Sequence, residues 1–159
     1  MTADQHFDAG AGIAVTDQAD AGGDIHALAA LAAFLLVQLR LHPECELDIT
    51  LVDVETMTDL HVRWMDEPGP TDVLSFPMDE LRPSPIGQEP EPGVLGDIVL
   101  CPQFVLAQAA ERGHTLDEEL ALLLTHGLLH LIGHDHATVE EYDAMFALQD
   151  DLLSAWRSR

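Results

Sequence analysis

The densest chemistry in this 159-residue chain lies in residues 125–136, THGLLHLIGHDH. His126 and His130 are four apart, which on an α-helix is one turn plus about 40°. Both imidazoles therefore project from one face and can share a cation. Gly133 accepts a positive φ, so it can end the helix and turn the chain. His136 then returns over the same face as a third ligand. Three protein ligands leave one position open, the pattern of a catalytic site rather than a closed structural one. Three neutral imidazoles suit zinc best, with nickel, copper and iron as alternatives. Only deprotonated imidazole binds a cation, so occupancy falls at acid pH.

The spacing matches the H-E-x-x-H-x-x-G-x-x-H frame of zinc proteases, but Gly127 stands where the glutamate would be. Peptide hydrolysis by that route lacks its base. A bound cation still brings the pKa of its water down to about 7, which supports phosphodiester cleavage. In RNA the substrate's own 2′-hydroxyl is an alternative nucleophile. The residues thus permit a nuclease without selecting one. Asp135 can orient the His136 ring and raise its basicity, take part in acid–base work, or simply close the turn. His134 fits neither arm of the frame and is assigned to the surface or to a supporting role. His6, His26, His42, His61 and His114 have no partner in the sequence and are assigned structural or exposed positions.

These residues need elements to hold them. Thr115-x-x-Glu118 is a capping box opening a helix that runs to about residue 132, and Thr138-x-x-Glu141 opens a last helix to about 156. Upstream, Asp24 caps a helix over 25–41 that is apolar nearly all round and so predicted to be interior. Strands are predicted at 45–53, 72–76 and 96–100, and helices at 54–65 and 103–112. Residues 78–93 are proline-rich and read as a long loop, either a mobile lid or an insertion. Residues 1–23 read as a loose arm with a short strand near 12–16. The expectation is one α+β domain over 1–159: a small mixed β-sheet, about five surrounding helices, and the metal site on a helix and the turn after it.

Composition narrows the setting. Six basic residues against 29 acidic give a net charge of −23, and all six are arginine. Such a surface repels polyanions at long range, so generic nucleic-acid affinity is disfavoured. The N-terminus carries no secretory pattern, and the longest apolar run, 27–37, is too short to cross a bilayer. A cytoplasmic protein is expected, with Cys45 and Cys101 as two buried thiols.

HGLLHLIGHDH resembles the H-G-x-L-H-L-x-G-x-D-H signature of the YbeY family of bacterial endoribonucleases. PTDVLSFP (70–77) and LGDIVLCP (95–102) resemble two further blocks of that family, in the same order. The resemblance runs from about Leu47 to the last helix. It implies one metal, usually zinc, on His126, His130 and His136, and a small mixed sheet with a cleft above the metal. It also implies a single-strand-directed endoribonuclease in 16S rRNA 3′-end maturation and ribosome quality control. RNA and a ribosomal subunit or ribosome-associated proteins are the partners implied. The alternative is a ribosome-associated binding factor whose metal is structural. One departure stands out. The family's L-N-x-x-Y-R segment is LHVRWM here, placing His61 at its asparagine and Met65 at its arginine. Arg63 and Arg82 are the two candidates for the missing cation, although Arg63 points about 200° away from position 65 on a helix. Asp135 and Arg63 are the catalytic candidates beside the three ligands. Asp72 and Asp97, at strand starts, are either supporting groups or turn residues.

Overall fold

The computed structural model describes residues 5–8 and 12–159. Among them are strands β1 (Gln5–Asp8), β2 (Ile13–Asp17), β3 (Glu46–Leu51), β4 (Val73–Pro77) and β5 (Val94–Leu100). The helices are α1 (Ile25–Gln38), α2 (Val54–Met65), α3 (Pro102–Arg112), α4 (Leu116–Leu131) and α5 (Val139–Arg157). The strands form one mixed sheet in the order β1-β2-β3-β5-β4. β2, β3 and β5 run parallel, and the edge strands β1 and β4 pair antiparallel with their neighbours. The α+β class follows as expected.

Period-2 patterning explains the sheet. Leu47, Ile49 and Leu51 of β3 are buried while Glu46 and Asp48 face out. They join Ile13 and Val15 of β2, and Ile98 and Leu100 of β5, in a core shared with α1, α4 and α5. A smaller cluster of Val52, Met57, Leu74, Val99 and Cys101 collects the other side chains of β4 and β5 with α2. Helices thus cover both faces of the β5–β4 end.

Two sequence expectations need correction. Among its described residues the arm holds two strands: besides the strand near 12–16, residues 5–8 form β1, paired from Gln5↔Asp17 to Asp8↔Ala14. The reason is that β2 buries Ile13 and Val15 and leaves an open edge, which β1 covers. Residues 1–4 and 9–11 lie outside the described ones. Second, α1 is not interior all round. It buries Leu28, Leu31, Leu35 and Leu36 but turns Ala27, Ala30, Ala33 and Val37 to solvent. Alanine exposes little apolar area, so an alanine-lined outer face is tolerated.

The interior helix is α4, which buries Leu120, Leu123, Leu124, Thr125, Leu128, Leu129 and Leu131. Both predicted capping boxes are present. Thr115 Oγ1 accepts from Glu118 N at 3.1 Å and Glu118 Oε1 from Thr115 N at 2.9 Å, with the same reciprocal pair at Thr138 and Glu141. Each box satisfies two amide donors that a helix start otherwise leaves unpaired and fixes where the helix begins.

Residues 78–93 are tied to the body at two points. Ser84 is buried; its N–H donates to Arg40 O at 3.0 Å, and Arg40 Nε donates back to Ser84 O at 2.8 Å. At the loop's base, Val94 N donates to Asp79 Oδ2 at 2.7 Å. Cys45 and Cys101 are free and buried, as expected.

Candidate metal centre

His126 and His130 project from the last two turns of α4, and His136 returns from the turn beyond. Ligand atoms of the three rings all lie within 4.8 Å of one another. The turn depends on Gly133, whose φ of +99° is costly for any residue with a Cβ. A Cβ there would also come 2.7 Å from Cζ of Arg82, so the guanidinium of the proline-rich loop lies directly over the turn that leads to His136.

The outer nitrogens fix the inner ones. His126 Nδ1 donates to Gln149 Oε1 at 2.9 Å, and His130 Nδ1 donates to the His134 carbonyl at 2.9 Å. Both Nε2 atoms then carry lone pairs, and they face each other at 3.1 Å. Burial lowers the pKa of His126 and His130, and each is pushed further down by neighbouring imidazoles. Near neutral pH both rings are therefore neutral. Two neutral lone pairs in such contact repel; a shared cation removes the conflict and uses both. The donor set and its supporting hydrogen bonds thus fit a borderline metal such as zinc.

The rings open into a cleft lined by Met65, Asp72, Val73, Leu74, Ser75 and Pro77 besides the three histidines. Strand β4 forms its opposite wall, positioned because α4 lies close against it. Gly127 permits that approach: a Cβ at 127 would stand 2.9 Å from Ser75 Oγ and 3.3 Å from Ile98 Cγ2. Ser75 Oγ donates to the Gly127 carbonyl at 3.2 Å. The residue that removes the protease base is therefore also the one that seats the helix on the sheet.

The other sequence candidates fall in different places. Asp135 is exposed and its Oδ1 accepts from the His136 backbone N–H at 2.7 Å, so it braces the turn. Arg63 is exposed in the last turn of α2, and it is Met65, not Arg63, that lines the cleft. Asp72 lines the cleft and accepts from Val73 N at 2.7 Å. Asp97 lies on the opposite face, beside Trp64 and Phe76, with its pKa raised by burial and by Asp48. His134 contributes its carbonyl rather than its ring. His114 does have a partner, the fully buried Glu119 at 2.7 Å. Gln149 escaped the sequence reading. Its signal was a lone amide on the buried face of α5 among Met145, Leu152 and Leu153.

Residues 18–157 match the family described as Endoribonuclease YbeY. The chain belongs to the YbeY endoribonuclease family. Among its YbeY relatives is Endoribonuclease YbeY of Thermobifida fusca, 55% identical over 91% of this chain and 94% of that one. The Beutenbergia cavernae protein of the same name is 60% identical over 79% and 83% of the two chains. The fold is similar to the solution structure of TM1509 from Thermotoga maritima, with a TM-score of 0.59, 26% identity and 92% of each chain covered. Among the described residues, no helix is long and apolar enough to cross a membrane.

Proposed function

We propose that this YbeY-family protein is a metal-dependent endoribonuclease. It cleaves single-stranded RNA in the cytoplasm, in 16S rRNA 3′-end maturation and ribosome quality control, with zinc held by His126, His130 and His136. The observation that carries this is the convergence of three imidazoles on one point at the floor of an open cleft. A cation held there supplies Lewis acidity toward a phosphate oxygen and lowers the pKa of water that meets it.

The chain's own residues do the rest. Gln149 and the His134 carbonyl fix ring orientation and tautomer, and Asp135 holds the backbone of His136. Its second carboxylate oxygen, on the exposed side of the turn, is the acceptor for a proton leaving the nucleophile. Neither Arg63 nor Arg82 lines the cleft itself; Arg82, whose guanidinium lies against Gly133, is the nearer to the three histidines along the chain's turn and supports charge on the phosphate. Substrate enters along β4. The net charge of −23 opposes capture of RNA by the surface at large, so a ribosomal subunit or associated protein delivers the strand.

The test is metal analysis of native protein paired with cleavage of a labelled single-stranded RNA before and after chelation. Chelation abolishes cleavage, zinc restores it, and His130→Ala folds but neither binds zinc nor cleaves. Cleavage that survives in fully chelated protein, or in folded His130→Ala, refutes the assignment.

A further inference from the structure

Helix α5 carries a stripe that the metal centre uses only at its inner end. Tyr142, Phe146 and Gln149 are spaced i, i+4, i+7 and share one face. Gln149, only 2% exposed, holds His126. Phe146 comes next, its ring centre 5.5 Å from that of His126. Tyr142 stacks on Phe146 at 4.4 Å with 28° between the planes, and it is 50% exposed. Three rings therefore run outward from the metal centre, and the outermost is open to solvent.

Beside them lies a hollow lined by Arg112, Leu122, Leu123, Phe146 and Gln149 together with Asp72, Val73 and His126. The last three also line the metal cleft, so the hollow adjoins the cleft across these residues. Arg112 reaches it from the end of α3. One of its Nη atoms is 3.5 Å from the buried Glu119, while its side chain stays 53% exposed. A guanidinium has five N–H donors, so it can keep this contact and still meet a phosphate.

Phe146 and Arg112 line one hollow, and Tyr142 extends the aromatic face outward from Phe146; this pairing matches a nucleotide better than a peptide or an apolar ligand. Single-stranded RNA offers unstacked bases with two π-faces and a phosphate at every step. We infer that the Tyr142–Phe146 pair is a stacking platform for a nucleobase flanking the scissile phosphate, with Arg112 on that nucleotide's backbone. This rests on the endoribonuclease assignment and adds how the strand is gripped. On so acidic a chain, stacking provides affinity that charge does not.

The experiment pairs two readouts on a fluorescein-labelled single-stranded oligoadenylate just long enough to span cleft and platform, so that its register cannot shift, and on versions with one abasic nucleotide at each position in turn. Binding is followed by polarisation on zinc-loaded protein with a non-cleavable 2′-O-methyl strand, and cleavage by gel on the ribose strand. Stacking of one base is worth roughly five- to hundredfold in affinity. The parent protein should lose that much at one abasic position and little elsewhere. Tyr142→Ala should weaken the intact strand by a similar factor, raise KM with kcat kept, and lose the abasic effect; Tyr142→Trp should restore both. Tyr142 is half exposed, so these variants fold, which a thermal melt verifies. Equal binding by Tyr142→Ala and parent, or a loss shared equally by every abasic strand, overturns the platform. A parent that binds with the abasic signature but never cleaves sinks the nuclease assignment and leaves the platform standing. Cleavage without that signature does the reverse.

Discussion

Replacing Gln149 by leucine isolates the contribution of one hydrogen bond to the metal centre. Gln149 Oε1 accepts the Nδ1 proton of His126 from a position almost entirely out of water. Leucine has similar volume, so little cavity or overpacking penalty enters. What is lost is the acceptor. An N–H left unpaired in a partly buried site costs about 1–3 kcal/mol, and the ring is freed to rotate or to move its proton to Nε2, where it blocks the ligand lone pair. Outer partners of this kind typically govern metal affinity by about 10- to 100-fold. Gln149→Leu should therefore weaken zinc binding within that range, measured by competition with a chromophoric chelator at neutral pH. Gln149→Glu supplies a stronger acceptor for the same proton and should bind zinc at least as well as the parent. If Gln149→Leu holds zinc as tightly as the parent while folding normally, the Nδ1 contact does not set the ligand, and the reasoning for His130 and the His134 carbonyl weakens with it.

Other consequences are open to simpler tests. Gly127→Val drives a side chain into Ser75 and Ile98 and should cost about 1–3 kcal/mol in urea unfolding; Gly127→Glu should likewise destabilise and give no casein digestion. Because burial lowers His126 and His130 below the ordinary imidazole value of 6.5, unfolded chain takes up their protons first as pH falls. The stability of metal-free protein should be fully present above about pH 6.5 and decline as pH drops through the depressed folded values, in urea melts at successive pH. With a charge of −23, kcat/KM on isolated RNA should stay flat or rise between about 50 and 200 mM salt, where most nucleic-acid enzymes weaken; a steep fall would show a basic footprint that six arginines do not supply.

The sequence exposed the three candidate ligands because their geometry is local. An i, i+4 pair, a turn glycine and a third histidine need only helical periodicity and one positive φ to meet. Helix starts were equally legible, since Asp24, Asp53, Thr115 and Thr138 each cap through their own side chains. What stayed hidden depends on contacts between distant segments. Gln149 reaches His126 from another helix, Arg82 meets Gly133 from a loop, and β1 exists because β2 offers it an edge. Helix α1 misled because its alanines raise apolar content without requiring burial. Glycine at 127 was read as a missing base, but its place against Ser75 is a matter of how closely a helix can sit on a strand.

The three histidines fall within eleven consecutive residues, while the β4 wall facing them is contributed from some fifty positions earlier. Closing so short a segment around an ion carries a small entropic penalty, and the strengthening it brings stays in the elbow joining α4 to α5. Ion loading should therefore slow amide exchange at that elbow and along the Gln149 turn of α5, leaving the β1–β2 margin unchanged. One joint would be stiffened, and it is the joint from which both the histidine cluster and the aromatic ladder of α5 take their alignment.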